Sequence, residues 1–407
     1  MEDQTKSRPI NPFIRFLVLL ILIAVIFGLL LFALTGANIG TIKQSGWAAF
    51  WQQAVSSFNE ELPQKQVVVT LPLEEPVPSM AVQGEAVLLC SGGELRCMNA
   101  DGTDKWVRPV QLGSPYVTAY GRDVLYADLA GKKYGIVRDG SLFFEKETDN
   151  LIYNATLSRD YILLLEKGTD AGYAAILEGL SREGASVFKS FLTDYTPFSV
   201  HQAPETGQDS LILSGLSATQ LLAGAAVEFI APDMTRRGGF SAEDDLFTVV
   251  LQMSDGSTAL VGEKELKIVD RNLEASGGYV PAGDAISAAT LLDGKNPVVA
   301  VFDKKRYETT RQEKTFIRIL NPDGTIKREI VQEGRVNRLI SGPECIGLVL
   351  ENSVIFVDGV GTELSSFDAH GSIQKVIVTD KGLAYIMADG QVTALRLHTR
   401  QKFLGVF

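Results

Sequence analysis

Cysteine, histidine and tryptophan are scarce, with three of each in 407 residues. Three cysteines cannot build a disulfide framework. The histidines, His201, His370 and His398, stand far apart, which argues against a metal centre. No Gly-x-Ser-x-Gly elbow and no phosphate-binding Walker loop occurs. An excess of positive charge is also missing. The net charge is −11, and an acidic body repels the phosphates of nucleic acid. What remains is 45% hydrophobic and 21% charged with 38 glycines, a globular composition.

One long hydrophobic run is present. Residues 13–35 are apolar from Phe13 to Leu34 except for Arg15. That length suits a helix crossing a bilayer and exceeds the core of a cleaved leader. Lys6, Arg8 and Arg15 flank its N-terminal side, against Lys43 alone close behind it. The positive-inside rule therefore places residues 1–12 in the cytoplasm and the body outside, in a single-pass cell-membrane protein whose partner here is the lipid bilayer.

A second helix is expected over 41–62. Trp47, Phe50, Trp51, Ala54, Val55 and Phe58 recur at spacings of three and four, with polar residues on the other face. Trp47, Phe50 and Trp51 suit a membrane interface; equally, the stripe suits a stalk packed on the body. Residues 63–78 read as a proline-rich linker containing a β-branched run, Val67 to Thr70.

From 79 to 407 the pattern turns all-β. Short apolar runs alternate with turns, and one turn recurs. Asn321-Pro322-Asp323-Gly324-Thr325 is its clearest form, with copies at Ala100-Asp101-Gly102-Thr103 and Arg138-Asp139-Gly140-Ser141. Looser copies fall at Glu183-Gly184, Pro232-Asp233, Asp270-Arg271-Asn272, Asp358-Gly359 and His398-Thr399. Glycine takes positive φ freely there, and aspartate bonds its own backbone. A repeat of about 40–45 residues, each of four strands, predicts a β-propeller. Eight turns imply eight blades. Seven is the alternative, with Val67 to Thr70 closing the ring. The innermost strands are expected to be the nearly continuous apolar ones.

The stretch Glu94 to Trp106, with Asp101, Thr103, Lys105 and Trp106, resembles the blade repeat of quinoprotein-like (PQQ-like, WD40-like) propellers. The whole layout is similar to a family of single-pass Gram-positive proteins known as domain of unknown function 5711. The first resemblance implies architecture. A quinoprotein dehydrogenase also needs a central cofactor, calcium ligands and usually adjacent cysteines, and none is visible. Cys90 and Cys97 face each other across a hairpin. They pair only if the turn centres on Gly93-Glu94, and otherwise are small buried hydrophobes. Asn99-x-Asp101-Gly102-x-Asp104 has calcium-like spacing but lacks the later bidentate glutamate, so it reads as a turn. Ser186 and Lys189 match Ser-x-x-Lys on an outer strand without partner motifs.

Two insertions depart from the repeat. Asp303 to Lys314 in the sixth unit is long for a hairpin and locally basic, with Lys304, Lys305, Arg306, Tyr307, Arg311 and Lys314 as candidate interaction residues. Leu221 and Leu222 fall on an expected loop of the fourth unit. The expected function is non-catalytic, without cofactor: a tethered envelope platform binding a protein or surface polymer. The competing class is an extracytoplasmic enzyme or small-ligand sensor with its site in the central funnel.

Overall fold

The computed structural model describes residues 67–73, 77–168, 172–193, 195–203, 210–217, 224–242 and 245–397. The segment 13–35, the helix 41–62 with Trp47, Phe50 and Trp51, the pair Leu221 and Leu222, and the turn from His398 lie outside the described residues. Among the described residues no helix is long and apolar enough to cross a membrane.

The recurrent turn sets the architecture. At Asn321–Thr325 the Gly324 N–H donates to the Asn321 carbonyl (2.9 Å), and the Asn321 N–H to the Thr325 carbonyl (2.8 Å). Asp323 Oδ1 accepts from the Thr325 N–H (2.9 Å) and hydroxyl (2.7 Å). Gly324 sits at φ +88°, where a side chain would be strained. The Asp101 turn repeats this pattern, with Oδ1 accepting from the Thr103 N–H (3.0 Å) and hydroxyl (2.6 Å). Hydrogen bonds from Thr103 hold the Asp101 carboxyl below the usual carboxylate range. The calcium-like spacing around Asp101 is therefore turn chemistry.

Eight four-stranded antiparallel sheets result. Blade 1 runs from Ser79–Gln83 to Asp104–Pro109, blade 2 from Pro115–Tyr120 to Ser141–Glu147, blade 3 from Ile152–Leu157 to Ser186–Leu192, and blade 4 from Tyr195–Gln202 to Arg236–Ala242. Blade 5 runs from Val249–Gln252 to Ala275–Tyr279, blade 6 from Ala285–Leu292 to Ile326–Glu333, and blade 7 from Arg338–Gly342 to Glu363–Asp368. Blade 8 contains Ile373–Val378, Leu383–Ala388 and Gln391–Arg396, and takes its outermost strand, Val67–Pro72, from the other end of the domain. The ring thus begins inside the stretch assigned to the linker. Val67–Pro72 closes a ring of eight blades, not seven.

Eight hydrophobic clusters follow the eight junctions between blades, and the last joins Leu383, Tyr385 and Val392 of blade 8 to Met80, Val87 and Leu89 of blade 1. Burying one such leucine or isoleucine contributes about 1.5–3 kcal/mol. The most deeply buried strand is the second of each blade, completely so at Ala86–Cys90 and Cys345–Val349. The innermost strands are half-exposed, as at Pro115–Tyr120 and Val249–Gln252. This reverses the sequence expectation. The innermost strand of an eight-bladed ring borders the axial opening, whereas the second strand is covered on both faces.

Cys90 and Cys97 are free and buried. The register pairs Cys90 with Leu95 and Leu88 with Cys97, so the turn centres on Gly92-Gly93 and the thiols stand diagonal to each other. Burial pushes the Cys90 thiol up to about 12.

Polar contacts lock particular junctions. Asp123, buried at the blade 2–3 junction, accepts from Arg138 Nε (2.7 Å) and Nη2 (3.0 Å) and from Arg182 Nε (2.9 Å). Arg182 also donates to the carbonyls of Ser158 (2.7 Å) and Tyr120 (3.0 Å). On the opposite face, Asp245 Oδ1 accepts the Glu263 N–H and Oδ2 the Lys264 N–H (2.8 Å each), tying the link into blade 5 to that blade's own hairpin.

Candidate functional site

Two cavities open at the two ends of the innermost strand of blade 5. The strands of this blade are four, four, four and five residues long. The innermost strands of blades 4 and 6 have eight residues each. A short strand between two long ones leaves space beyond each of its ends.

The first cavity, about 670 Å³, lies beyond Val250–Gln252 and is lined by Tyr120, Ser158, Arg159, His201, Gln202 and Thr290 among others. Its polar groups largely satisfy one another. Arg159 Nη2 stands 2.7 Å from Asp160 Oδ2, and Gln202 Nε2 donates to the same oxygen (2.5 Å). Gln252 Nε2 donates to the Gln202 carbonyl (2.5 Å). Burial lowers the pKa of His201, favouring its neutral imidazole. His370 sits instead on the link into blade 8, its backbone N–H donating to Asp389 Oδ2 (2.9 Å). Among the described residues no three His, Cys, Asp or Glu side chains gather as a metal site would require.

The second cavity, about 1160 Å³, lies beyond Thr248 and Val249 on the opposite face, and the basic insertion forms one wall. The insertion is not a plain hairpin. Lys304–Thr310 folds as an α-helix, α1, the one helix among the described residues. Asp303 caps it, Oδ1 accepting the Arg306 N–H (2.9 Å). Arg311 ends it in the left-handed region at φ 60°. The Asp303 N–H donates to the Lys314 carbonyl (3.0 Å) and closes its base. No residue of α1 is buried.

The sequence candidates divide here. Lys304, Tyr307 and Arg311 line the cavity. Lys305 is exposed on α1. Arg306 turns to Gln312 Oε1 (3.0 Å) and stands 4.0 Å from Glu333. Lys314 leaves on the next strand, its ammonium 4.9 Å over the Phe316 ring. Three lining residues carry no sequence signal of their own: Arg335, on the link into blade 7, and the exposed Leu216 and Leu246. Phe302, at the foot of α1, joins them in a ladder. The Arg335 guanidinium lies 5.1 Å from the Phe302 centroid, Phe302 5.7 Å from Tyr307, and the Arg311 guanidinium 5.6 Å from Tyr307. Cations over ring faces add about 0.5–1 kcal/mol each at exposed positions, enough to orient them.

The Ser-x-x-Lys match dissolves. Ser186 Oγ donates to Glu178 Oε1 (3.2 Å), and Lys189 Nζ stands 3.7 Å from Glu178 Oε2. Both side chains serve the carboxylate rather than each other.

No family model and no curated protein matches the chain. Solved structures share the fold. The BamB structure from Moraxella catarrhalis is 13% identical with a TM-score of 0.55, covering 82% of this chain and 99% of that one. The Dos1 propeller is 11% identical with a TM-score of 0.58, covering 82% and 97%. A eukaryotic initiation factor is 11% identical with a TM-score of 0.52, covering 77% and 82%. These likenesses establish an eight-bladed propeller of the same general architecture.

Proposed function

We propose that the chain is a membrane-tethered, extracytoplasmic propeller that binds another envelope component without catalysing a reaction, as its layout resembles the Gram-positive family of domain 5711. The tether rests on the apolar segment 13–35 and the basic residues ahead of it. The observation carrying the binding reading is the second cavity. Short hairpins and links would leave this face uniform, but α1 stands on it with no buried side chain. A helix that adds nothing to the core and lines an open cavity is suited to contact with a partner. Here the platform reading turns on a protein partner. The first mouth, with Arg159, Asp160, Gln202 and Gln252 bonded among themselves, offers less for a ligand or reaction.

The test is cross-linking in native membranes followed by affinity capture, with the full chain and with Lys304–Thr310 replaced by a glycine-serine loop. A partner cross-linked by the native chain and lost from the variant supports the reading. Equal capture by both overturns it.

A further inference from the structure

Resting on the platform reading, we infer that the second cavity receives an acidic peptide segment carrying an apolar anchor. Its walls combine two chemistries. On one side Leu216 and Leu246, each 38% exposed, line the cavity. The innermost strand of blade 6 contributes Ala285, Ala288 and Ala289, whose small side chains leave room above them. On the other side stand Lys304, Arg311 and Arg335, all exposed. No carboxylate of the described residues comes within ion-pair distance of these three cations, although Arg306 and Arg318 nearby have such partners.

Asp245, Glu263 and Glu308 equal the three lining cations in number, but Asp245 is turned to backbone N–H groups of the blade 5 hairpin. Lys305, on the exposed part of α1, leaves an excess of one positive charge. In a chain of net charge −11, an anionic partner therefore meets less repulsion at this rim than over the rest of the surface. Arginine held over an aromatic ring presents its N–H fork outward in fixed geometry, which suits a carboxylate. An apolar floor under a cationic rim selects an occupant that is both: side-chain carboxylates for the rim, a leucine or phenylalanine for the floor. A sugar–phosphate polymer offers charge but nothing for Leu216 and Leu246 to cover.

The test uses the full chain in detergent micelles. The probe is a fluorescent twelve-residue peptide of glutamates with leucine or phenylalanine at every third position. Its anisotropy should rise on titration. Binding should weaken about tenfold with Lys304→Glu, Arg311→Glu and Arg335→Glu combined. It should weaken comparably with Leu246→Asp, and be unchanged with Arg159→Glu at the other mouth. These rim residues are exposed, and circular dichroism checks that each variant is folded. Three results overturn the inference: no binding, binding indifferent to the rim and floor variants, or displacement by poly(glycerol phosphate) at lower charge concentration. If the peptide fails while membrane cross-linking still depends on Lys304–Thr310, only the acidic chemistry falls. If that dependence is absent as well, the platform reading falls with it.

Discussion

Replacing Asp123 by asparagine should destabilise the ring more than most single changes. The Asp123 side chain is 2% exposed, and the two arginines that hold it are 17% exposed each. Burial alone raises the pKa of Asp123, but hydrogen bonds from Arg138 and Arg182 outweigh it and hold the value below the ordinary carboxylate range. Asparagine keeps the shape, removes the charge, and points one N–H₂ at guanidinium donors. Removing one partner from a buried ion pair costs about 3–5 kcal/mol. The residual exposure of both arginines sets the expectation at the lower end, about 3 kcal/mol. Urea denaturation followed by circular dichroism reads this as a lower midpoint at unchanged slope. The pH dependence supplies a second readout. A carboxyl depressed in the fold contributes stability that is full above its unfolded value, about 3.9, and is lost as pH falls through its folded value. That part of the acid limb should vanish in the variant. A loss under about 1 kcal/mol, with the acid limb intact, would show the cluster to be solvent-screened.

Other expectations follow from the same chemistry. Glu166 is buried, with Oε2 accepting from Asn150 (2.9 Å) and Oε1 unpartnered. Burial, with the nearby Glu178, raises its pKa, so native stability falls as pH rises from about 4.3 through the folded value. Glu166→Gln should flatten that fall and raise the urea midpoint at pH 7 but not at pH 4; equal midpoints at pH 7 refute it. The closing strand is the next case. Leu71 packs in the blade 8–1 junction, and Leu71→Asp should lower the thermal midpoint and make the chain up to Pro72 accessible to protease; unchanged cleavage contradicts closure by this strand. Finally, Cys90, Cys97 and Cys345 are buried thiols with raised pKa values, Cys97 and Cys345 at about 11. A thiol reagent at pH 8 should label none of them before denaturant is added, and rapid labelling of the native chain refutes their burial.

Most of the ring was legible because its punctuation is local. Asn-x-Asp-Gly-Thr specifies a turn through bonds within five residues, so Asp101 and Asp323 declared blades 1 and 6 directly. The closing strand was ambiguous because its partner is remote: Thr70 and Thr393 hydroxyls meet 3.2 Å apart across 323 residues of sequence. The Asp123 cluster was hidden for the same reason, since Arg182 lies 59 residues away. At the cavity, the basic insertion stood out by composition. Its helix did not, because seven residues are too few to show a period of 3.6. Arg335, Leu216 and Leu246 were invisible, as one charge on a link and two leucines at loop edges acquire meaning only when the fold sets them around one space.

The most direct test of the binding face is a photo-cross-linking residue placed in turn at Tyr307, at Tyr120 and at Leu142 of the full chain in its native membrane. Tyr307 lines the second cavity, Tyr120 the first, and Leu142 lies exposed on the outer strand of blade 2. A discrete protein adduct from Tyr307, absent from the other two, is the predicted result. Adducts from Tyr120 or Leu142 with none from Tyr307 would contradict the account.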